Sequence, residues 1–238
     1  MTLYCVGTMH SDFKGPQRLK SFFSYTKPEI IIIEASRGLI ERRLQDRENI
    51  NNKAKEIISR LDTKIESDRI YAENVMRFVD MVYYEISSSY EYKSENPKTI
   101  ILPAYTDNTS LMQIYDQLGK KAKEKGVIFF NNFDEKSIKF LKDLDIKKNQ
   151  DCTDEIYQKC NDLNDPLFGN SKTLENAARN LDDLMESNIR HIVDLDPQAN
   201  IVFPCGAGHI YGDYKNNLYD RLVDLSPQRF KLVDVDKL

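Results

Sequence analysis

Five short apolar runs, spread from one end of the chain to the other, constrain the fold most. Each run is rich in β-branched or aromatic residues and lacks strict polar–apolar alternation, which is typical of strands covered on both faces. Helical patterns separate the runs, so the order predicts an α/β fold with a mostly parallel central sheet flanked by helices. The predicted strands are Leu3–Gly7, Glu29–Glu34, Thr99–Pro103, Asn200–Pro204 and Phe230–Val235.

One helical stretch is much longer than a crossover between two strands requires. Residues 39–92 exceed a single crossover helix, so we predict a helical insertion over about 39–95, after the second strand, with a break at Asn49–Asn52. Apolar residues from Tyr71 to Ile86 recur at three- and four-residue steps, which favours packing within the domain. The other predicted helices are Gln17–Tyr25, Leu111–Lys125, Glu135–Lys147, Thr173–Asp194 and Asn217–Leu225.

Length, charge and cysteine content narrow the class of protein. The 238 residues are expected to form one domain, 1–238. The 34 Lys and Arg against 38 Asp and Glu give a net charge of −4, which disfavours a nucleic-acid partner. No apolar run approaches the roughly 20 residues that a membrane span needs, and the chain opens on a strand rather than a leader. Four cysteines without C-x-x-C spacing favour reduced thiols, so we expect a cytoplasmic protein.

Two of the three histidines lie in the same frame, Gly-x-x-His, directly after an apolar run. His10 follows the first predicted strand, and His209 follows the fourth. Glu34 ends the second strand, after four isoleucines. Because ligands of an open parallel sheet gather outside the carboxyl ends of its strands, we expect these three side chains to form one site.

Three interpretations of His10, Glu34 and His209 stay open from the residues alone. Two imidazoles and a carboxylate can bind a metal ion that keeps open coordination positions. Without a metal, one histidine could act as general base while Glu34 fixes its tautomer and the other histidine or an arginine stabilises the developing charge. In a purely structural alternative, the histidines begin helices and Glu34 pairs with Arg37 or Arg42.

Neighbouring residues complete the predicted site. Gly7, Gly206 and Gly208 permit sharp turns after the strands, which bring backbone N–H groups close to a ligand. Tyr105 and Asp107 follow the third strand and are expected to face the same cleft. We assign these five residues to substrate binding.

The segments that carry the three central residues resemble the TraB/PrgY, GumN and TIKI superfamily, which is related more distantly to erythromycin esterases and ChaN-like proteins. The matching segments are Gly7-Thr8-Met9-His10-Ser11, Pro28–Glu34 and Gly206–Gly212, in the same order. In that superfamily two G-x-x-H motifs and a glutamate form the active site, and an arginine in the helix before the second motif joins them. Arg190, 19 residues before His209, is the matching arginine here.

The resemblance implies a metal-dependent, metalloprotease-like hydrolase of peptides, esters or amides. His10, Glu34 and His209 would bind Mn²⁺ or Co²⁺ and act with Arg190, the anion or oxyanion partner, as the catalytic set. One alternative is a non-catalytic protein that sequesters a peptide or small signal in the same pocket. Another is an interaction protein whose helical insertion docks a partner. The sequence leaves open the substrate and the oligomeric state, a homodimer included.

Overall fold

A computed structural model describes residues 1–107, 135–159, 172–212 and 216–238. One parallel sheet lies at the centre of these residues. Its five strands are arranged in the order β3-β2-β4-β1-β5, and every pairing is parallel. The α/β fold predicted from the apolar runs is therefore confirmed. The strands are β1 (Thr2–Thr8), β2 (Ile30–Ile33), β3 (Ile100–Pro103), β4 (Asn200–Gly206) and β5 (Gln228–Lys231).

The pairing of β1 with β4 brings the two Gly-x-x-His motifs together. These strands are in register from Thr2 opposite Asn200 to Thr8 opposite Gly206. On its other side β4 pairs with β2, where Ile30 lies opposite Ile201. The strands that precede the three predicted site residues are thus neighbours at the middle of the sheet, and their carboxyl ends lie at the same edge.

The first four predicted strands agree with the structure to within two residues at either end, whereas the fifth is only partly right. The predicted strand Phe230–Val235 begins earlier, at Gln228, and ends at Lys231, where a 3-10 helix, Leu232–Lys237, takes over. Leu232 and Val235 are both buried in the core beside the helix Gly15–Thr26. Their spacing of three is that of a 3-10 turn, which places both side chains on one face.

Helices cover both faces of the sheet. Ile30 and Ile32 belong to the core on one face, and Ile31 and Ile33 to the core on the other, as the two-residue period of a strand requires. The α-helices of the described residues are α1 (Gly15–Thr26), α2 (Arg37–Ser59), α3 (Glu66–Met81), α4 (Tyr84–Glu95), α5 (Glu135–Lys142), α6 (Ile146–Lys159), α7 (Lys172–Leu195), α8 (Ala207–Tyr211) and α9 (Leu218–Arg221). A further 3-10 helix spans Val223–Leu225.

The long helical stretch after β2 consists of α2, α3 and α4. The break predicted at Asn49–Asn52 is wrong, because α2 continues to Ser59 and its Ile50 is buried against the neighbouring helices. The chain instead leaves helical structure at residues 60–65 and 82–83. The apolar stripe packs within the chain, as predicted, in a cluster shared with α2 and α5 that includes Tyr71, Val75, Phe78 and Val79.

The predicted helix Glu135–Lys147 is interrupted. Helix α5 ends at Lys142, and α6 begins at Ile146. The carboxylate of Asp145 accepts a hydrogen bond from the backbone N–H of Lys148 at 2.9 Å, which caps the start of α6. The predicted helix Leu111–Lys125 lies outside the described residues. Within those residues, no helix is both long enough and apolar enough to cross a membrane.

Candidate active site

Glu34 and His209 are in contact at the carboxyl edge of the sheet, as the sequence predicts. Glu34 directly follows β2, and its Oε2 accepts a hydrogen bond from the backbone N–H of Gly206 at 2.5 Å. Its Oε1 lies 3.4 Å from Nε2 of His209, which extends from α8 just after β4. The pairing of β2 with β4 therefore joins the carboxylate to the second Gly-x-x-His motif.

The other ring nitrogen of His209 is bound by a carboxylate that belongs to no sequence motif. Nδ1 of His209 lies 2.5 Å from Oδ1 of Asp182. Asp182 is fully buried on α7, and the His209 side chain is 13 % exposed. The imidazole is thus fixed between two carboxylates, with Nδ1 toward Asp182 and Nε2 toward Glu34.

His10 has a similar partner on the other side of the site. Its Nδ1 lies 2.9 Å from Oε1 of Glu85, a largely buried residue in the first turn of α4. The hydroxyl of Thr8, at the end of β1, donates to the same carboxylate oxygen at 3.0 Å. The His10 side chain is 72 % exposed, so its Nε2 side is open to solvent. Both histidines are therefore oriented through Nδ1 by a carboxylate from a helix.

Glu34 is a carboxylate throughout the physiological pH range. Burial by itself would raise the pKa of Glu34, but the charge of His209 and its hydrogen bond lower it. The charge of His10 and the hydrogen bond from Gly206 act in the same direction, and together these groups bring the pKa of Glu34 to about 2. His10 and His209 are thus electrostatically coupled to the same glutamate.

The carboxylates in turn raise the pKa values of the two histidines. Burial would lower the pKa of His209, but the charge of Glu34 and the hydrogen bond of Asp182 raise it to about 10. The pKa of His10 is also raised, chiefly by the charge of Glu85, although solvent around this exposed ring weakens the interaction. At neutral pH, His209 is an imidazolium between two carboxylates.

The three predicted glycines differ in what surrounds them. A Cβ at Gly7 would come within 3.1 Å of the ring of Tyr211 and 3.2 Å of Cα of Ala207, so Gly7 lets α8 pack closely on β1. Gly206 donates its backbone N–H to Glu34 and belongs to the site directly. A Cβ at Gly208 would meet nothing within 4 Å, so this position borders open space.

Tyr105 and Asp107 lie at the same edge of the sheet but have different surroundings. Tyr105 is 4 % exposed, and burial followed by the charge of Glu34 raises its pKa to about 12. Asp107 is exposed, and its Oδ1 lies 3.1 Å from where a Cβ of Gly38 would be, in the first turn of α2. Tyr105 therefore borders the site, whereas Asp107 packs against the start of α2.

The structure does not bring Arg190 to the three central residues. Arg190 lies about 12 Å further along α7 than Asp182, as the helical rise for eight residues requires. Its guanidinium is bonded to Glu186 at 3.0 Å, to Asp224 at 2.8 and 2.9 Å and to the carbonyl of Arg221 at 2.5 Å. These contacts tie α7 to the segment after α9 and give Arg190 a structural role.

Asp182 and Glu85 were missed because neither belongs to a motif. A signal for Asp182 does exist, since it lies three and seven residues before Met185 and Ile189, on the face of α7 that enters the core. An acidic residue on an apolar helix face needs a partner. Glu85 lies between two buried apolar residues in the long helical stretch and gives a weaker form of the same signal.

The chemistry of the donor set fits a divalent first-row metal ion. His10 and His209 would bind through Nε2 and Glu34 through its carboxylate. The carboxylates at both Nδ1 atoms are the partners that metal-binding histidines usually have. In the ranges that the structure describes, no three His, Cys, Asp or Glu side chains surround a common point closely enough to bind an ion. Binding would therefore require His10 to turn toward Glu34 and His209.

No family model, curated protein or solved structure matches the chain. The resemblance to the TraB, GumN and TIKI superfamily therefore stays a prediction, based on the three segments given above.

Proposed function

We propose that the chain is a metal-dependent hydrolase of peptide, ester or amide bonds. The observation that carries the proposal is the shared arrangement of His10 and His209, each of which is oriented through Nδ1 by a helical carboxylate beside Glu34. A histidine that only begins a helix has no need of such a partner. Two oriented imidazoles beside an ionised carboxylate are a combination that hydrolysis commonly uses.

The residues of the chain have separable roles in this proposal. Asp182 and Glu85 hold Nδ1 of the two histidines, so that Nε2 of His10 is open to the substrate side and Nε2 of His209 faces Glu34. Glu34 is fixed by the N–H of Gly206 and holds the proton on Nε2 of His209. His10 is exposed and can exchange a proton with water or substrate directly. The two imidazoles therefore give the site one buried and one accessible proton carrier.

A divalent ion such as Mn²⁺ or Co²⁺, bound by His10, Glu34 and His209, would supply a Lewis acid and a water of lowered pKa. The electrostatics of the site favour such an ion. Glu34, Glu85 and Asp182 are the carboxylates around the two imidazoles, and they raise the pKa values of both histidines. A cation can take the place of the proton on Nε2 of His209, so binding should release protons and weaken at acid pH.

Metal binding and hydrolysis should be measured on the same purified protein. Titration calorimetry with Mn²⁺ and Co²⁺ in two buffers of different ionisation enthalpy reports both affinity and proton release. A panel of peptide, ester and amide substrates, tested before and after chelator treatment, reports hydrolysis. We expect binding with proton release, and hydrolysis that the chelator abolishes and the metal restores.

Matched variants identify the residues that bind the metal ion and support hydrolysis. His209→Gln and Glu34→Gln should lower metal affinity by about 10- to 100-fold or more and abolish hydrolysis. His191→Gln, an exposed histidine on α7, should change neither. Metal binding without hydrolysis across the panel would instead support a protein that sequesters its ligand. Hydrolysis that survives the chelator would contradict the metal requirement but keep the acid–base groups.

A further inference from the structure

A second cleft lies between α1 and α4, and no residue of the candidate active site lines it. Its volume is about 620 Å³, which is in the range of small-molecule sites. Helix α1 lines it from residue 16 to residue 24, a length of about 12 Å, and α4 lines it from residue 87 to residue 91. Arg47 of α2 and Asp80 of α3 also border this cleft.

Small side chains leave the groove between the two helices unfilled. Ser21 and Ser24 of α1 and Ser87 and Ser88 of α4 line the cleft. Helices normally pack by filling such a groove with larger side chains. Serine is also a weaker helix former than alanine or leucine, yet α4 has three in succession, Ser87 to Ser89. Neither packing nor helix propensity therefore accounts for serine at these positions.

Ser88 has a buried hydroxyl that the rest of the described chain does not bind. Its neighbours donate to carbonyls of their own helix, Ser87 to Tyr84 at 3.4 Å and Ser89 to Glu85 at 2.6 Å. Ser88 is 1 % exposed, and its hydroxyl has no hydrogen-bond partner among the described residues. A buried hydroxyl without a partner is costly. Because Ser88 lines the cleft, a molecule bound there can supply the missing hydrogen bond.

Charges of both signs border the cleft. Nη2 of Arg47 lies 4.0 Å from Oδ1 of Asp80, which is beyond hydrogen-bond distance. Nε of Arg47 donates to the carbonyl of Val82 at 3.2 Å, and this bond orients the guanidinium. Lys20 and Glu91 form an ion pair between α1 and α4 and line the same cleft. Two positive and two negative groups thus surround one space.

We propose that this cleft binds a free α-amino acid with a polar side chain. The ammonium and carboxylate of an α-amino acid are joined through one carbon, so one molecule can contact both members of the loose pair Arg47–Asp80. The carboxylate binds the guanidinium, the ammonium binds Asp80, and the polar side chain lies among the serines and bonds to Ser88. A simple anion or cation suits the cleft less, because two of the bordering groups repel it. The site is independent of the proposed hydrolase.

Four small probes test this site by NMR titration. Glutamine is the complete zwitterion, N-acetylglutamine lacks the ammonium, glutaminamide lacks the α-carboxylate, and leucine lacks the polar side chain. A chelator is present throughout, so that the proposed metal-dependent reaction does not contribute.

Three variants alter the cleft, and two serve as matched controls. Asp80→Asn removes the acidic group, Ser88→Ala removes the hydroxyl, and Ser21→Leu fills the cleft. Glu73→Gln and Ser94→Ala are the controls, because both residues are exposed, lie on α3 and α4 respectively, and do not line the cleft. Urea unfolding checks that each variant is folded, which we expect for Asp80→Asn since Asp80 is 61 % exposed.

We expect the wild type to bind glutamine at least about tenfold more tightly than N-acetylglutamine or glutaminamide, the effect of one charge-assisted contact each. Asp80→Asn should remove the preference over N-acetylglutamine and keep the preference over glutaminamide. Ser88→Ala should weaken glutamine binding by about two- to tenfold, and Ser21→Leu should weaken the binding of every probe. Both controls should bind as the wild type does.

Shifts of the backbone amides of α1 and α4 should locate bound glutamine in the cleft. The assignment is overturned if glutamine does not bind, or if N-acetylglutamine, glutaminamide or leucine binds as tightly. It is also overturned if Asp80→Asn and Ser21→Leu leave glutamine binding unchanged. Because these titrations involve neither metal nor turnover, this proposal and the proposed hydrolase can fail separately.

Discussion

In the candidate site, two imidazoles are held by three carboxylates. Glu34, Asp182 and Glu85 hold two imidazoles among them, and each imidazole is more basic than an isolated histidine. Such a site takes up protons when no other cation is bound. The same charges that would bind a metal ion therefore make the stability of the metal-free protein depend on pH.

The pKa of His209 predicts how that stability changes. Its pKa rises from 6.5 to about 10 on folding, so its contribution is complete below pH 6.5 and is lost as the pH rises from 6.5 toward 10. Glu34 acts in the opposite range, because its pKa falls from 4.5 to about 2 and its contribution is lost as the pH falls below 4.5. The combined contribution of Glu34 and His209 to the stability of the metal-free protein should thus be largest between pH 4.5 and 6.5.

Urea unfolding at pH 6, 8 and 9.5 measures the alkaline part of this prediction. For the wild type we expect the free energy of unfolding to fall by on the order of 3 kcal/mol between pH 6 and 9.5. His209→Gln should show little of that fall, whereas His191→Gln, on the exposed face of α7, should retain it. An equal pH dependence in His209→Gln and the wild type would show that the pair Glu34–His209 does not form.

The sequence predicted one half of the site and not the other, for a physical reason. His10, Glu34 and His209 follow strands, and the ends of parallel strands are at one edge whatever the helices do. Asp182 and Glu85 come from helices, where the residue that faces a given strand end depends on helix rotation and packing. The strand order does not determine the rotation of a helix. The sequence signal for Asp182 and Glu85 is therefore limited to a charged residue on an apolar helix face.

At the scale of elements, strands were easier to predict than the breaks between helices. Three apolar strands, β1, β2 and β4, are buried on both faces, and their composition alone indicates this. Asn49–Asn52 looked like a break because asparagine disfavours helices, yet burial of Ile50 and Ala54 against α3 outweighs that weak propensity. Tertiary packing thus determines that α2 continues through Asn49–Asn52 and that β5 ends at Lys231.

The contact between α1 and α4 depends on a glycine. A Cβ at Gly15 would lie 2.5 Å from Cζ of Tyr84, a fully buried residue whose hydroxyl donates to the carbonyl of Met9. Gly15→Ala must displace that ring or the helix, so we expect it to destabilise the protein by about 1–3 kcal/mol. The midpoint of urea unfolding measures this loss.

Gly208→Ala is the matched control for the glycine prediction. Gly208 lies in α8, and a Cβ there would meet nothing within 4 Å. Alanine should leave the free energy of unfolding unchanged or raise it by about 0.5–1 kcal/mol, because it favours the helix. Equal effects of the two substitutions would mean that α1 and α4 are not packed as closely as the structure shows.

At the scale of the whole molecule, one buried arginine joins segments that are far apart in sequence. Arg18 on α1 is 2 % exposed and forms ion pairs with Asp12 at 3.0 Å, Asp154 at 2.8 Å and Asp236 at 2.5 Å. The hydroxyl of Tyr157 on α6 donates to Asp12 and accepts from the backbone N–H one residue before His10. The loop that carries the first histidine is thus held by the middle and the C-terminal end of the chain together.

Arg18→Met should therefore destabilise the whole molecule rather than one element. It leaves Asp12, which is fully buried, without its counter-charge, and such a loss costs about 3–5 kcal/mol. Asp236→Asn is the milder comparison, since Asp236 is 45 % exposed, and we expect it to lower the free energy of unfolding by about 1 kcal/mol or less.

Urea unfolding measures the free energy of unfolding of both variants, and hydrogen exchange at the Met9 amide reports on the His10 loop itself. Faster exchange at Met9 should accompany the loss in Arg18→Met, because Asp12 anchors Tyr157 beside that amide. A small, equal loss in both variants, with Met9 still protected, would show that Arg18 carries no long-range connection and that packing alone positions His10.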